Sequence, residues 1–276
     1  MTRFISTVVC TIGVSISHAQ PVWLPAGPQQ AGGAYSAQFQ QVFTAMYNQA
    51  ALAQLPAFTA GVFSERRFML KETALHALTM ALPVSAGAFG LSVQQFGFSA
   101  FRQQKLGIAY GRPLGARLSI GLQLDYLSTS MQQYGEAATI TFEAGCLLHL
   151  TPQLHAGFHV FNPPARQLDR SGLQDLPVIY TAGVGYEVSG AFLLSAELVR
   201  ENSRSLTTAR IMGEYRVLPR CSLQLGLSTD PQLSGGGFSF NWQNLRICLS
   251  GTYHPLLGIT PATAIIWQSA KKGTLP

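Results

Sequence analysis

The chain has 276 residues, of which 11% are charged, and carries a formal net charge of +6. An ordinary soluble surface needs about 25% charged residues, so this composition argues against a water-soluble globular domain. The basic residues are scattered, with no cluster interleaved with aromatics, and nucleic-acid binding is left without support.

The N-terminus reads as an export signal over residues 1–19. Thr2-Arg3 form a short basic start, Phe4 to Ile16 is apolar apart from small hydroxyl residues, and Ser17-His18-Ala19 put small residues at −3 and −1 before Gln20. Cys10 lies inside the apolar stretch behind Val8-Val9, not behind a small residue, which rejects lipidation. After processing, Cys146, Cys221 and Cys248 remain, an odd and scattered set with no CxxC or Cys/His metal spacing. No disulfide framework, metal or cofactor is expected. No later stretch reaches the ~18 uninterrupted apolar residues of a membrane helix. A membrane-embedded mature chain must therefore be a barrel, since only helices and closed sheets satisfy their backbone in lipid.

Residues 20–56 carry a different pattern from the remainder of the chain. Phe39, Val42, Phe43 and Met46 recur at i, i+3, i+4 and i+7, which predicts an amphipathic helix. Its apolar stripe cannot stay in water. Folded into a barrel mouth, the segment would bury that stripe and plug the lumen.

From 57 to 268 the period changes to two. In Leu118-Ser119-Ile120-Gly121-Leu122-Gln123-Leu124-Asp125-Tyr126, apolar residues take one face and small or polar residues the other. Fourteen strands are expected near 57–64, 73–82, 87–97, 104–112, 117–128, 138–149, 154–161, 178–188, 191–200, 207–217, 220–228, 236–242, 245–253 and 262–268, with a tail over 269–276. Connections after even strands are tight, as in Thr151-Pro152-Gln153 and Ser189-Gly190. Those after odd strands are longer, as from Glu65 to Glu72 and from Asn162 to Pro177. An even strand count with short turns on one side and longer loops on the other is the outer-membrane arrangement, with both termini periplasmic. The expected fold is thus an all-β, fourteen-stranded antiparallel transmembrane β-barrel with a short N-terminal helical plug.

Parity assigns the faces. Leu106, Ile108, Ile140, Phe142, Leu223, Leu225 and Phe238 face outer-membrane lipid, and Tyr126, Tyr186, Tyr215, Trp242, Tyr253 and Trp267 lie near strand ends on the same face. Lys105, Asp125, Glu143, His149, His155, His159, Glu187, Glu197, Arg210, Glu214 and Arg246 face the lumen. Gly107, Gly121, Gly145, Gly157, Gly183, Gly185 and Gly226 lie mid-strand, where they relieve crowding on an inner wall. If the ninth hairpin closes around Ser203-Arg204, partner numbers sum to about 407 and Glu197 sits opposite Arg210. Glu197, Arg210, Glu214 and Asp125 are therefore a candidate lumen network, read as structural in preference to solute-binding. The three histidines invite a metal site, but no carboxylate stands beside them at ligand spacing; a wet lumen wall is the better reading.

The residues also resemble a family. Gly32-Gly33-Ala34-Tyr35, a helix, and then Asn48-Gln49-Ala50-Ala51-Leu52-Ala53 is similar to the N-terminal signature of the FadL-like fourteen-stranded barrels, especially their PorV/PorQ-type relatives in Bacteroidota. The usual form is Asn-Pro-Ala-Gly-Leu-Ala; Asn48, Ala50 and Leu52 match, while Gln49 replaces the Pro and Ala51 the Gly. Phe161-Asn162-Pro163 through Leu176-Pro177 to Gly183-Val184-Gly185-Tyr186 resembles the family's Asn-Pro loop and following strand, and Tyr253-His254-Pro255-Leu256-Leu257-Gly258 its last external loop. A PorP/SprF-type barrel carries a related segment. The resemblance implies one of two roles. FadL-type members pass small hydrophobic solutes through a plugged lumen; PorV/PorQ-type members dock partner proteins in type IX secretion. The loops here are short for a FadL transporter, so the leading expectation is a non-enzymatic accessory or docking component of a type IX-like secretion or surface-assembly system. The alternative is a FadL-like passive channel for small hydrophobic compounds.

Glu65-Arg66-Arg67-Phe68-Met69-Leu70-Lys71 mixes charge with apolar residues, and Arg66, Arg67 and Phe68 are the candidate external contacts for a secretion-system or surface protein partner. For catalysis there is no Gly-x-Ser-x-Gly elbow, His-Glu-x-x-His or P-loop. Ser250 and His254 lie four apart at one strand end, but no oriented carboxylate completes a set.

Overall fold

The computed structural model describes residues 24–25, 27–133, 135–168, 176–203, 206–229 and 231–269. The expected signal over 1–19 and, apart from Ser269, the expected tail lie outside the described residues.

Fourteen antiparallel strands close into a barrel, each bonded to its sequence neighbours and the first to the last. They are β1 (Thr59–Arg66), β2 (Ala74–Val84), β3 (Gly87–Gly97), β4 (Phe101–Leu114), β5 (Leu118–Met131), β6 (Gly135–His149), β7 (Leu154–Phe161), β8 (Ile179–Ser189), β9 (Phe192–Glu201), β10 (Thr207–Leu218), β11 (Cys221–Thr229), β12 (Gln232–Trp242), β13 (Leu245–His254) and β14 (Gly258–Gln268). Closure between β1 and β14 runs from Thr59↔Gln268 to Glu65↔Ala262 and leaves no edge strand.

The outer face is apolar because alternation makes it so. On β5, Leu122 and Leu124 are 59% and 58% exposed while their neighbours Gln123 and Asp125 are buried. Leu106, Ile108, Ile140, Phe142, Leu223, Leu225 and Phe238 are likewise exposed, as are all six rings assigned to strand ends. In a lipid solvent these side chains are the buried ones. No helix among the described residues is long and apolar enough to cross a membrane; the crossing is made by strands.

Several strand ends depart from expectation: β5 runs to Met131 and β6 starts at Gly135, and β12 starts at Gln232, so the connections expected over 129–137 and 229–235 are short turns. The connection expected over residues 254–261 is a three-residue turn, because β14 begins at Gly258, whose φ of +87° is the left-handed geometry a tight hairpin needs. The described parts of the loop after β7, residues 162–168 and 176–178, pack inward. Buried Asn162, itself at φ +53°, organises them: Oδ1 accepts from Thr141 Oγ1 (2.7 Å) and Arg166 N (2.9 Å), and Nδ2 donates to Leu176 O (2.9 Å). Leu168 and Leu176 then pack with Leu127, Phe161 and Ile179.

Inside the barrel lies the N-terminal segment. It is not the amphipathic helix expected over 39–46. Three short 3₁₀ stretches cover Pro28–Tyr35, Val42–Met46 and Gln49–Gln54, and Phe39 sits in the bend before the second. The period-3.6 spacing of Phe39, Val42, Phe43 and Met46 arises because all four are buried in the lumen from a folded-back chain, surrounded on every side and not along one stripe.

Candidate functional site

The candidate site is the plugged lumen. Glycines decide where the plug sits. Gly111, Gly121 and Gly145 are mutually in register across β4, β5 and β6, and Gly157 pairs with Gly183 across β7 and β8. A Cβ at Gly121 would overlap the Gln49–Ala50 backbone, one at Gly145 the Asn48 side chain, and one at Gly183 or Gly185 would overlap Tyr35. The mid-strand glycines therefore form a trough that brings plug backbone against barrel backbone. Gly107 differs: it makes room for the wall's own Gln123 and Asp125 side chains.

Polar bonds then fasten the plug at both ends. Glu187 Oε1 accepts from Ser36 Oγ (2.6 Å), Ala37 N (2.6 Å) and Gln38 N (3.1 Å). Arg216 donates to Gln38 O (2.6 Å) and lies 3.9 Å from the centre of the Phe39 ring. Asn48 Oδ1 accepts from Ala50 N (3.1 Å), capping its own turn, while Nδ2 donates to Cys146 O (3.0 Å) on β6. Ala50 and Leu52 are fully buried against the trough. Gln49, where the resembled family has Pro, donates its side-chain amide to Glu143.

The four residues expected to form one lumen network fall into three separate clusters. Glu197 takes Arg210 Nη1 (2.8 Å) and the Tyr35 hydroxyl (2.8 Å). Glu214 takes Arg246 (2.8 Å) and Gln224 (2.9 Å). Asp125 takes Gln123 (2.7 Å) and Lys105 (3.6 Å), and Lys105 also pairs with Glu143, which bonds His159 at 2.9 Å. The reason is position on the wall: Asp125 on β5 lies on a different arc from β9 and β10, while Arg210 and Glu214 share β10 but lie four residues apart along it, and each buried charge is satisfied locally. His149, His155 and Glu187 form a further polar chain at the turn end, with His149 Nδ1 and His155 Nδ1 2.7 Å apart and His155 3.3 Å from Glu187. Among the described residues no group of His, Cys, Asp or Glu is arranged to hold a metal ion.

The external contact set is corrected in part. Arg66 is exposed, but Arg67 turns into the lumen, pairing with Glu65 (2.9 Å) and donating to Leu24 O of the plug (2.5 Å). Backbone geometry causes this: Phe68 and Met69 take φ of +56° and +62°, reversing the chain at the rim, and Phe68 packs edge-on to His254 at 6.0 Å. Ser250 and His254 make no pair; Ser250 Oγ accepts from Gln30 and His254 Nδ1 from Leu256 N and Leu257 N.

Two cavities flank the middle of the plug. The one toward the long-loop end is walled by Phe161, Ile179, Val199 and Leu206, floored by Met46 and Tyr47, and leaves about 70 Å³ to the centres of water-sized molecules. The other, of about 200 Å³ on the same measure, opens among the tight turns beside Gln40, Gln41, Leu55, Asn241, Asn244 and Arg246. Along the chain, Val42 to Ala45 run between the plug residues that line the second cavity, Gln40 and Gln41, and those that line the first, Met46 and Tyr47. Tyr47 and Tyr35, both in the plug, have phenol pKa values raised by burial; for Tyr35 the neighbouring Glu197 adds to the rise.

Glu143, Glu187, Tyr35 and Tyr47 belong to the site without having been expected there. Parity already places the two carboxylates inward, but nothing local marks which of many inward groups the plug reaches.

No family model and no curated protein matches this chain. Solved structures do. Its fold is similar to the "CymD monoaromatic hydrocarbon channel" (14% identity, TM-score 0.68, covering 88% of this chain and 97% of that one). It is similar to the Ralstonia pickettii toluene transporter TbuX (12%, 0.65, 88% and 98%) and to a Pseudomonas aeruginosa FadL homologue (10%, 0.59, 89% and 97%). At these identities the likeness bears on the fold alone: a closed fourteen-stranded barrel.

Proposed function

We propose that this protein is an outer-membrane channel that passes small hydrophobic compounds passively, with residues 24–55 as its plug, and with the tight turns and both termini on the periplasmic side. The observation that carries this reading is a pair of cavities lined by plug residues that flank one turn along the chain, Gln40 and Gln41 before Val42–Ala45 and Met46 and Tyr47 after it. A chamber with one apolar side and one charged side faces the long loops and a polar one the short turns, so a solute held on the apolar side passes toward water once that turn yields. The fold neighbours titled as hydrocarbon channels and toluene transporters support the same reading.

Docking in a type IX-like secretion system, the role favoured from the Asn48 motif and short loops, gains nothing from these neighbours and stands second. Exposed Met69 and Leu70 at the rim are the surface such a partner would use.

The test is toluene uptake by cells with an intact lipopolysaccharide leaflet, which blocks direct diffusion of apolar solutes. Expression of the protein should raise the uptake rate severalfold. Unchanged uptake, together with a stoichiometric protein partner recovered from native outer membranes, would reverse the order of the two readings.

A further inference from the structure

The long-loop cavity has an apolar wall and a polar floor, and the floor is electrically closed. Lys105 is paired with Glu143 and Asp125, Arg210 with Glu197, Arg67 with Glu65, and His159 with Glu143. A carboxylate entering here would have to break one of these pairs and leave a buried charge uncompensated, which costs far more than a new pair returns. Tyr47 is different. It lines the cavity, is 6% exposed, and among the cavity-lining side chains its hydroxyl is the buried polar atom with no protein partner. The hydroxyl is buried just behind the cavity lining, within the electrostatic reach of Arg210, Glu65, Glu197 and Arg67.

A buried hydroxyl without a partner is destabilising by itself, and a ligand that bonds to it regains that loss. The apolar wall of Phe161, Ile179, Val199 and Leu206 accommodates a ring or short alkyl body. We infer that the channel selects uncharged solutes that pair one hydrogen-bonding group with a compact apolar body, phenol-like or small alcohol-like, in preference to pure hydrocarbons or carboxylates, and that Tyr47 is the residue that reads the polar group. This rests on the channel reading and narrows its substrate class. Because Tyr47 directly follows the Val42–Met46 turn, solute recognition takes place beside that turn.

The experiment measures binding to the purified full-length barrel in detergent by saturation-transfer NMR, using p-cresol, toluene and 4-methylbenzoate as probes that share one ring. Wild type should bind p-cresol about five- to tenfold more tightly than toluene, the worth of one hydrogen bond to a site built for it, and 4-methylbenzoate more weakly than both. Tyr47→Phe should abolish the preference of p-cresol over toluene, with heat-modifiable gel mobility reporting an intact barrel. A preference that survives in Tyr47→Phe, equal binding of p-cresol and toluene to wild type, or tightest binding of the carboxylate would overturn the inference while leaving a hydrocarbon or acid channel standing. Failure of all three probes to bind would sink the channel reading with it.

Discussion

The two ends of the plug and its middle are held in different ways. At the ends, Tyr35–Gln38 and Asn48–Gln54 lie against glycine-lined wall and are fixed by directional bonds to Glu187, Glu197, Cys146 and Glu143. In the middle, Val42–Met46 makes no hydrogen bond to the barrel among the described residues. It rests on β1, where the Phe43 ring meets Phe63 at 6.0 Å and the bare backbone at Gly61. Directional bonds hold one geometry, whereas apolar contact tolerates sliding. The anchors are therefore suited to stay and the middle turn to move, and a channel could open without ejecting its plug.

The largest test of this contrast breaks an anchor seat. Gly121→Val drives a branched side chain into the Gln49–Ala50 backbone, which cannot give way as a side chain can, at a cost of about 4 kcal/mol. The plug should become cleavable by chymotrypsin at Tyr35, Phe39, Phe43 and Tyr47 in an otherwise folded barrel; continued protection would show that the trough is not needed. Next comes the middle. Phe43→Ala removes the ring that packs on Phe63, at a cost of about 3 kcal/mol, and should raise solute flux while protection at Ser36 and Asn48 persists. Loss of protection at the anchors as well would show that ends and middle open as one unit.

A smaller effect is expected at a single anchor bond. Glu187→Gln keeps the shape but weakens three bonds that a carboxylate strengthens, by about 2 kcal/mol. Hydrogen exchange at Ala37 and Gln38 should accelerate while exchange at Ala50 does not. The smallest test lies outside the lumen altogether. Arg66→Ala, on an exposed side chain, should change the barrel's stability in urea by less than about 0.5 kcal/mol. A larger shift would mean that the rim takes part in holding the plug.

Much of the wall is legible in the sequence. The expected spans 87–97 and 154–161 coincide with β3 and β7, and Glu197 does face Arg210. Each depends on nearest-neighbour pattern: a period of two, and a hairpin whose register comes from its turn. The C-terminal hairpin is less legible because Pro255-Leu256-Leu257 looks like loop in composition, while the left-handed Gly258 lets the strand start at once. The site is the least legible of all. Tyr35 stands out within a Gly-Gly-Ala-Tyr motif, but its bond to Glu197, 162 positions away, has no local signature. Likewise Arg67 looks external in sequence and is turned inward by two left-handed residues that no propensity anticipates.

What the sequence determined by itself was the barrel: alternation sets which side chains meet lipid and how many strands there are, because it acts between residues close in the chain, whereas the expected sorting of loops by length held only in part. The seating of the plug, the split of the inner charges into separate clusters and the two cavities were decided only by tertiary structure. They depend on which inward positions from seven or more strands fall at one height, and that is fixed by the register of the closed wall.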